Sequence, residues 1–302
     1  MGPRPNFFLI GAPRSGTTAL HHDLAAHPEV FMSTPKEPHY FSTDIRREFE
    51  AYRGDQVDPM FGTEEKYLAL FRDAGDAKVR GESSVYYFYS EDAARGIAAF
   101  DPNARLVLLL REPISFLRSL HGTLRLAGDE KERDFLRALE LEPARRRGEH
   151  LPETVRFPGM LFYSRYAAYS RWLRMYREHI DSDRLLVLLF DELRADRAGT
   201  YRRVLEHLGV KPMDPPPRIE SNAGVEPRFW WITKTLRRRG PMKQKSLVNR
   251  VLYRINTRPA RRVDLRPEVE LALKQRFLPE VRELSALLDR DLVTLWGYGG
   301  LD

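Results

Sequence analysis

The sequence predicts an α/β protein: a P-loop-like, doubly wound, mostly parallel sheet flanked by helices, in a single domain with a lid insertion. Three observations lead there. Short apolar runs alternate with helical patterns from residue 7 to residue 210, the rhythm of βαβ units. The clearest run, Arg105-Leu106-Val107-Leu108-Leu109-Leu110, is apolar at successive positions, as befits a central parallel strand buried on both faces. The first apolar run, Phe7-Phe8-Leu9-Ile10, passes through a turn with two glycines directly into a helix, an arrangement that points backbone N–H groups at an anion.

Taken in order, a strand at Phe7–Ile10 leads through Gly11 to Gly16 into a helix from Thr18 to Ala26, which His27-Pro28 ends. His21 and His22 are adjacent, so they point about 100° apart and form no i, i+4 metal pair. Val30–Met32 is a short strand, and the proline-rich run from Pro35 to Phe41 is a fixed loop. Residues 44–76 hold helical fragments, including Thr63 to Phe71. Val79–Glu82 is a short buried strand with a carboxylate at its C-terminal end. A helix over 91–100 precedes the Arg105–Leu110 strand, and a further helix starts at Pro113, a residue suited to a first turn. Residues 127–162 are charged, carry Pro143 and Pro152, and read as a lid or insertion rather than core. A single helix is expected from Tyr166 to Ile180, a buried strand from Arg184 to Phe190 and a helix from Thr200 to Leu208 stopped by Gly209. Pro215-Pro216-Pro217 is a stiff linker. Residues 221–262 are basic and irregular, and Pro267–Leu288 is helical.

Composition narrows the class. The 302 residues are 42% hydrophobic, enough for a full core, and Lys and Arg outnumber Asp and Glu by 50 to 43, a net charge of +7. That balance suits an anionic ligand, a nucleic acid or an anionic membrane surface. Arginine clusters at 145–147 and 237–239 are most simply solvated. The absence of cysteine excludes disulfides, thiolate metal sites and a cysteine nucleophile. The first strand leaves no room ahead of it for a signal peptide, and no apolar run reaches the ~18 residues of a membrane span. A cytoplasmic location is therefore expected; oligomeric state is not legible.

In open α/β sheets ligands sit beyond the strand C-termini, and the Gly11 loop, Glu82 and Arg111 each follow a strand. Gly11 and Gly16 have the spacing of a Walker A loop, yet Thr17 stands where its lysine belongs and Arg14 sits inside the loop. With these segments in place, the chain resembles the sulfotransferases that use 3′-phosphoadenosine 5′-phosphosulfate (PAPS), in the branch containing bacterial enzymes and Golgi glycan sulfotransferase domains. The likeness runs from Phe7 to about Trp296.

The resemblance implies roles residue by residue. Arg14, Ser15, Gly16, Thr17 and Thr18 would hold the 5′-phosphosulfate, and Arg111 with Ser119 the 3′-phosphate. Lys36, Glu37, His39, Tyr40 and Phe41 resemble a family loop near the acceptor, with Lys36 and His39 as catalytic candidates. Gly81-Glu82-Ser83 resembles the strand end carrying the catalytic carboxylate, so Glu82 is the expected base. Asn222-Ala223-Gly224 with Arg228 resembles a loop that folds over the donor. Taken singly, Glu82 also fits a buried ion-pair carboxylate, Lys36 a solvated charge and His39 a loop histidine; order and spacing carry the assignment. The implied reaction moves a sulfuryl group from PAPS to a hydroxyl, or an amine, of a small-molecule, glycan or lipid acceptor, with no metal and no specific nucleic acid. Two other readings stay open: a P-loop kinase or NTPase, and a basic protein that binds nucleic acid or membrane through residues 234–262.

Overall fold

Five parallel strands form the centre of the protein in the order β2-β3-β1-β4-β5. A computed structural model describes residues 3–54, 62–217, 225–229, 232, 247–259 and 265–301. The first strand, β1 (Phe7–Gly11), is wholly buried. The turn after it opens into α1 (Thr17–Ala25), which returns the chain to β2 (Val30–Met32) at the sheet edge. Two helices from the expected fragments follow, α2 (Thr43–Arg53) and α3 (Glu64–Leu68). β3 (Val79–Ser83) then pairs in parallel with both β1 and β2.

Local chemistry sets the next boundaries. The Ser90 hydroxyl accepts the Ala93 N–H and starts α4 (Glu91–Phe100), whose first turn carries Glu91 and Asp92 against the helix dipole. β4 (Arg105–Leu110) lies between β1 and β5. At its end Glu112 accepts the N–H groups of Ile114 and Ser115 and Pro113 occupies the first turn, which starts α5 (Pro113–Ala127).

Residues 127–162 depart from the expectation of a segment outside the core. They form α6 (Phe135–Glu140), α7 (Glu142–Arg146) and a 3₁₀ turn at Pro158–Leu161. Ala138, Leu139, Val155, Met160 and Leu161 join the main apolar cluster. The charged composition misleads because some of the charges are themselves buried. Arg145 makes a two-pronged bond to Glu130 at 2.7 and 2.8 Å, and Tyr163 donates to the same carboxylate. The sequence's single helix over 166–180 is two, α8 (Tyr163–Ala167) and α9 (Tyr169–Arg177), broken at Ala168. Glu280 takes the Ser170 N–H and hydroxyl, and the Trp172 indole takes the Arg165 carbonyl, so groups that would continue one helix are spent elsewhere.

β5 (Leu185–Leu189) leads straight into α10 (Phe190–Ala195). Asp196 then caps α11 (Arg197–Leu208), which starts one turn earlier than the periodicity suggests. β6 (Val225–Pro227) and β7 (Thr257–Pro259) form a separate two-stranded ribbon around α12 (Leu247–Asn256). α13 (Pro267–Leu288) and α14 (Leu292–Leu295) close the fold. Among the described residues, no helix is long and apolar enough to cross a membrane.

Candidate functional site

The turn between β1 and α1 is built by its backbone. Gly11 and Gly16 have φ of 156° and 93°, and a Cβ on Gly16 would stand 2.6 Å from the Leu193 side chain, so glycine is required there. Between them Arg14 takes φ 62°, unusual for a residue with a side chain. The Ser15 hydroxyl turns back toward the Pro13 carbonyl and Thr17 is buried. These two therefore serve the turn through their backbone, and a buried threonine stands where a nucleotide-binding lysine would extend. α1 has no side-chain cap and no acidic residue in its first turn, which leaves that end electropositive.

Two cationic groups meet this turn. On one side, Arg14 Nε donates to Ser119 Oγ at 3.1 Å and Arg111 donates to the Arg14 carbonyl at 3.1 Å, with its guanidinium 4.7 Å from the Phe190 ring centre. Arg14 from the turn and Arg111 and Ser119 from the β4–α5 stretch thus form one network. Burial pushes the Arg14 guanidinium below its ordinary value. On the other side, Lys36 Nζ reaches Thr18 Oγ1 at 3.4 Å and Glu37 Oε1 at 3.1 Å.

Glu37 is the residue that the sequence reading left without a catalytic part. Its backbone adopts φ 67°, its N–H donates to the Ser83 carbonyl, and its Oε2 accepts the Val85 N–H at 3.1 Å and lies 3.2 Å from His39 Nε2. Burial raises the pKa of this carboxyl, but the hydrogen bond and charge of His39 together with Lys36 outweigh that and hold it at about 2. Its side chain keeps 30% of its surface exposed, so an incoming group has access to it. A signal was present: an acid between Pro35 and Pro38, with a cation on one side and a histidine on the other.

Glu82 is placed differently from the expectation. It has no exposed surface, and its carboxylate accepts the hydroxyls of Tyr67, Tyr87 and Ser84 at 2.7, 2.7 and 2.6 Å. Burial raises its pKa against the pull of those bonds. Nor is it the buried ion pair that was the alternative, since its partners are neutral. A side chain enclosed in this way has no open path to an acceptor, which corrects its assignment as the base. Three of the four aromatics in Tyr86–Tyr89 are likewise core; Tyr86 is the exception and lies 5.7 Å from the His39 ring.

His21 is more than an ordinary helix residue. It is buried, its Nδ1 is 2.8 Å from Ser83 Oγ, and burial, then the charge of Lys36, lowers its pKa to about 4. An unfolded His21 takes up a proton near 6.5 and the folded one near 4, so the unfolded chain binds more protons in between and stability falls as pH drops through that window. The complete loss is on the order of 3 kcal/mol. Urea midpoints at pH 7 and pH 5 are expected to fall more for the wild type than for His21→Gln, which has nothing to titrate there.

Arg228 is exposed, its N–H held by the Asn256 carbonyl, and β6 just before it lies against α5, the helix of Ser119. Asn222, Ala223 and Gly224 lie outside the described residues, as does most of the basic stretch 234–262.

Residues 5–94, which include the turn, Lys36, Glu37 and His39, match the model of the sulfotransferase family. Over these residues the chain resembles the sulfotransferase family. The chain is 27% identical over 256 residues to carbohydrate sulfotransferase 15 of Homo sapiens, covering 69% of this chain and 44% of the relative. It is 25% identical over 215 residues to heparan sulfate glucosamine 3-O-sulfotransferase 3B1 of Mus musculus, covering 68% and 46%. The chain thus spans just under half the length of these curated relatives. Its fold is that of a sulfotransferase from Alicyclobacillus acidocaldarius, with a TM-score of 0.70, 24% identity and coverage of 97% and 98% of the two chains.

Proposed function

We propose that the protein transfers a sulfuryl group from PAPS to a hydroxyl of an acceptor, with Glu37 as the base. The observation that carries this reading is the Lys36 ammonium set between Thr18 in the first turn of α1 and the Glu37 carboxylate. It joins an anion-binding turn to a proton acceptor through one cation.

The residues present fit the donor. The backbone of the turn and the first turn of α1 suit a 5′-phosphosulfate, and Arg111 with Ser119 suits the terminal 3′-phosphate by a charge-assisted bond and a hydroxyl. The acceptor oxygen attacks sulfur and forms the new S–O bond; the bond from sulfur to the 5′-phosphate oxygen breaks; the acceptor proton passes to Glu37. The leaving group is adenosine 3′,5′-bisphosphate. Lys36 and Arg14 stabilise charge on the sulfuryl oxygens and the leaving phosphate. A Glu37 held near 2 is a weak base at rest. The negative charge of a bound donor draws on Lys36 and opposes ionisation of Glu37, which makes the carboxylate more basic when it is needed. The relatives named above act on carbohydrate and heparan sulfate, as their names state, so a glycan heads the list of acceptors.

The test incubates the protein with sulfur-labelled PAPS and a panel of heparan sulfate, de-sulfated heparan sulfate, simple phenols and sugar alcohols. Labelled product from any member supports the reading, and label that stays in PAPS or appears only as free sulfate opposes it. A second expectation concerns Arg111. Arg111→Ala should weaken binding of adenosine 3′,5′-bisphosphate by about tenfold or more, the scale of a lost charged hydrogen bond, while AMP binding changes little. Equal weakening of both, measured by calorimetry, would remove Arg111 from the 3′-phosphate.

A further inference from the structure

The buried carboxylate of Glu82 is not idle. A hydroxyl carries one proton and two acceptor lone pairs. Ser84 and Tyr87 each spend that proton on Glu82, at 2.6 and 2.7 Å. Each then accepts a backbone N–H from the loop around Glu37: His39 N–H donates to Ser84 Oγ at 3.0 Å, and Phe41 N–H donates to Tyr87 Oη at 3.2 Å. The third hydroxyl partner, Tyr67, stacks its ring on Tyr40 with centroids 4.3 Å apart and planes 7° from parallel. Three consecutive loop residues, His39, Tyr40 and Phe41, are therefore held by the three side chains that Glu82 orients. The loop also carries φ 67° at Glu37 and φ 52° at His39, a conformation that needs such support.

We propose that Glu82 is a positioning residue: by taking the hydroxyl protons of Ser84 and Tyr87 it turns their oxygens toward the loop backbone and fixes the place of Glu37 and His39. This rests on the reading of Glu37 as the base, and one arm of its test is independent of catalysis.

Glu82→Gln preserves shape but substitutes an amide N–H₂ for one acceptor oxygen, so at least one hydroxyl loses the acceptor for its proton and must reorient. Hydrogen exchange by mass spectrometry or NMR is expected to speed up by about tenfold or more at His39 and Phe41, with the amides of β4 unchanged. Ser84→Ala is expected to release His39 alone and Tyr87→Phe to release Phe41 alone, and either serves if Glu82→Gln does not fold. Unchanged protection at both amides overturns the proposal.

The catalytic arm uses whichever acceptor of the panel the wild type sulfates. Turnover of Glu82→Gln is expected to fall about 10–10²-fold, the cost of a misplaced reacting group, with donor KM nearly unchanged. In a Glu37→Gln background the same change is expected to alter turnover less than about twofold, because the group it positions is already gone. Independent, multiplicative losses would show that Glu82 does not act through Glu37. A wild type that transfers no label while exchange behaves as expected would remove the function and leave the anchoring intact.

Discussion

Glu37→Gln is expected to lower turnover about 10²–10⁴-fold, the range of general-base loss, while leaving the affinity for adenosine 3′,5′-bisphosphate within about threefold of the wild type. The amide keeps the size of the side chain and can still meet Val85 N–H, but it cannot take a proton. The separation of the two effects follows from the layout of the site. Arg14, Arg111 and Ser119, proposed for the nucleotide, form their own network, and Glu37 meets α1 through Lys36, which reaches Thr18. The same geometry predicts the pH behaviour of the free enzyme. A carboxyl held at about 2 by His39 and Lys36 is ionised throughout the neutral range. The acid limb of kcat/KM should therefore contain no contribution from Glu37. Parallel loss of nucleotide binding and turnover in Glu37→Gln would show a damaged site rather than a missing base.

The second large effect concerns stability. Arg145→Met is expected to destabilise the protein by about 3–5 kcal/mol, because it leaves Glu130 buried without its counter-ion. Both side chains of the pair are at most 1% exposed, and the donors left to Glu130, Tyr163 and the Glu132 N–H, carry no charge. Replacing both, as Arg145→Met with Glu130→Leu, should recover much of the loss, since a packed apolar pair avoids the desolvation of two charges. Urea or guanidinium midpoints for the single and double variants measure this directly. The pair lies in the segment whose next residue back, Asp129, binds the Arg156 backbone N–H and guanidinium. These bonds hold the 127–162 stretch together from within.

The parts of the fold that the sequence disclosed are those governed by local rules. β4 is legible because Leu106 to Leu110 are apolar without a break, and α5 because Glu112-Pro113 is a strong start. Sequence could not disclose that the charges of Arg145 and Glu130 are spent on each other inside the core, or that Glu280 breaks the expected helix at Ala168 from a distance of more than a hundred residues. At the site, Arg14, Arg111 and Ser119, singled out by the family likeness, lie in one hydrogen-bonded network. The carboxylate was misassigned for a physical reason. Glu82 does stand near the end of a strand, but a strand end alone does not say which face a side chain takes. Glu82 pairs in register with Phe8 and turns into the core beside Tyr67 and Tyr87, whereas its neighbour Ser83 meets His21 on α1. The positive φ values of Glu37 and His39 sit in a loop anchored by Ser84, Tyr87 and Val85, which no local pattern announces.

The central claim is that the turn at Gly11–Gly16, with Arg111 and Ser119, receives a nucleotide bearing one 5′-phosphate and one 3′-phosphate. Thermal unfolding with adenosine 3′,5′-bisphosphate, and separately with ADP and Mg²⁺, tests it most directly. The expected result is stabilisation by the bisphosphate, about 2.7 kcal/mol at a hundred times its Kd, with little from ADP and Mg²⁺. Stabilisation by ADP and Mg²⁺ with none from the bisphosphate would contradict it.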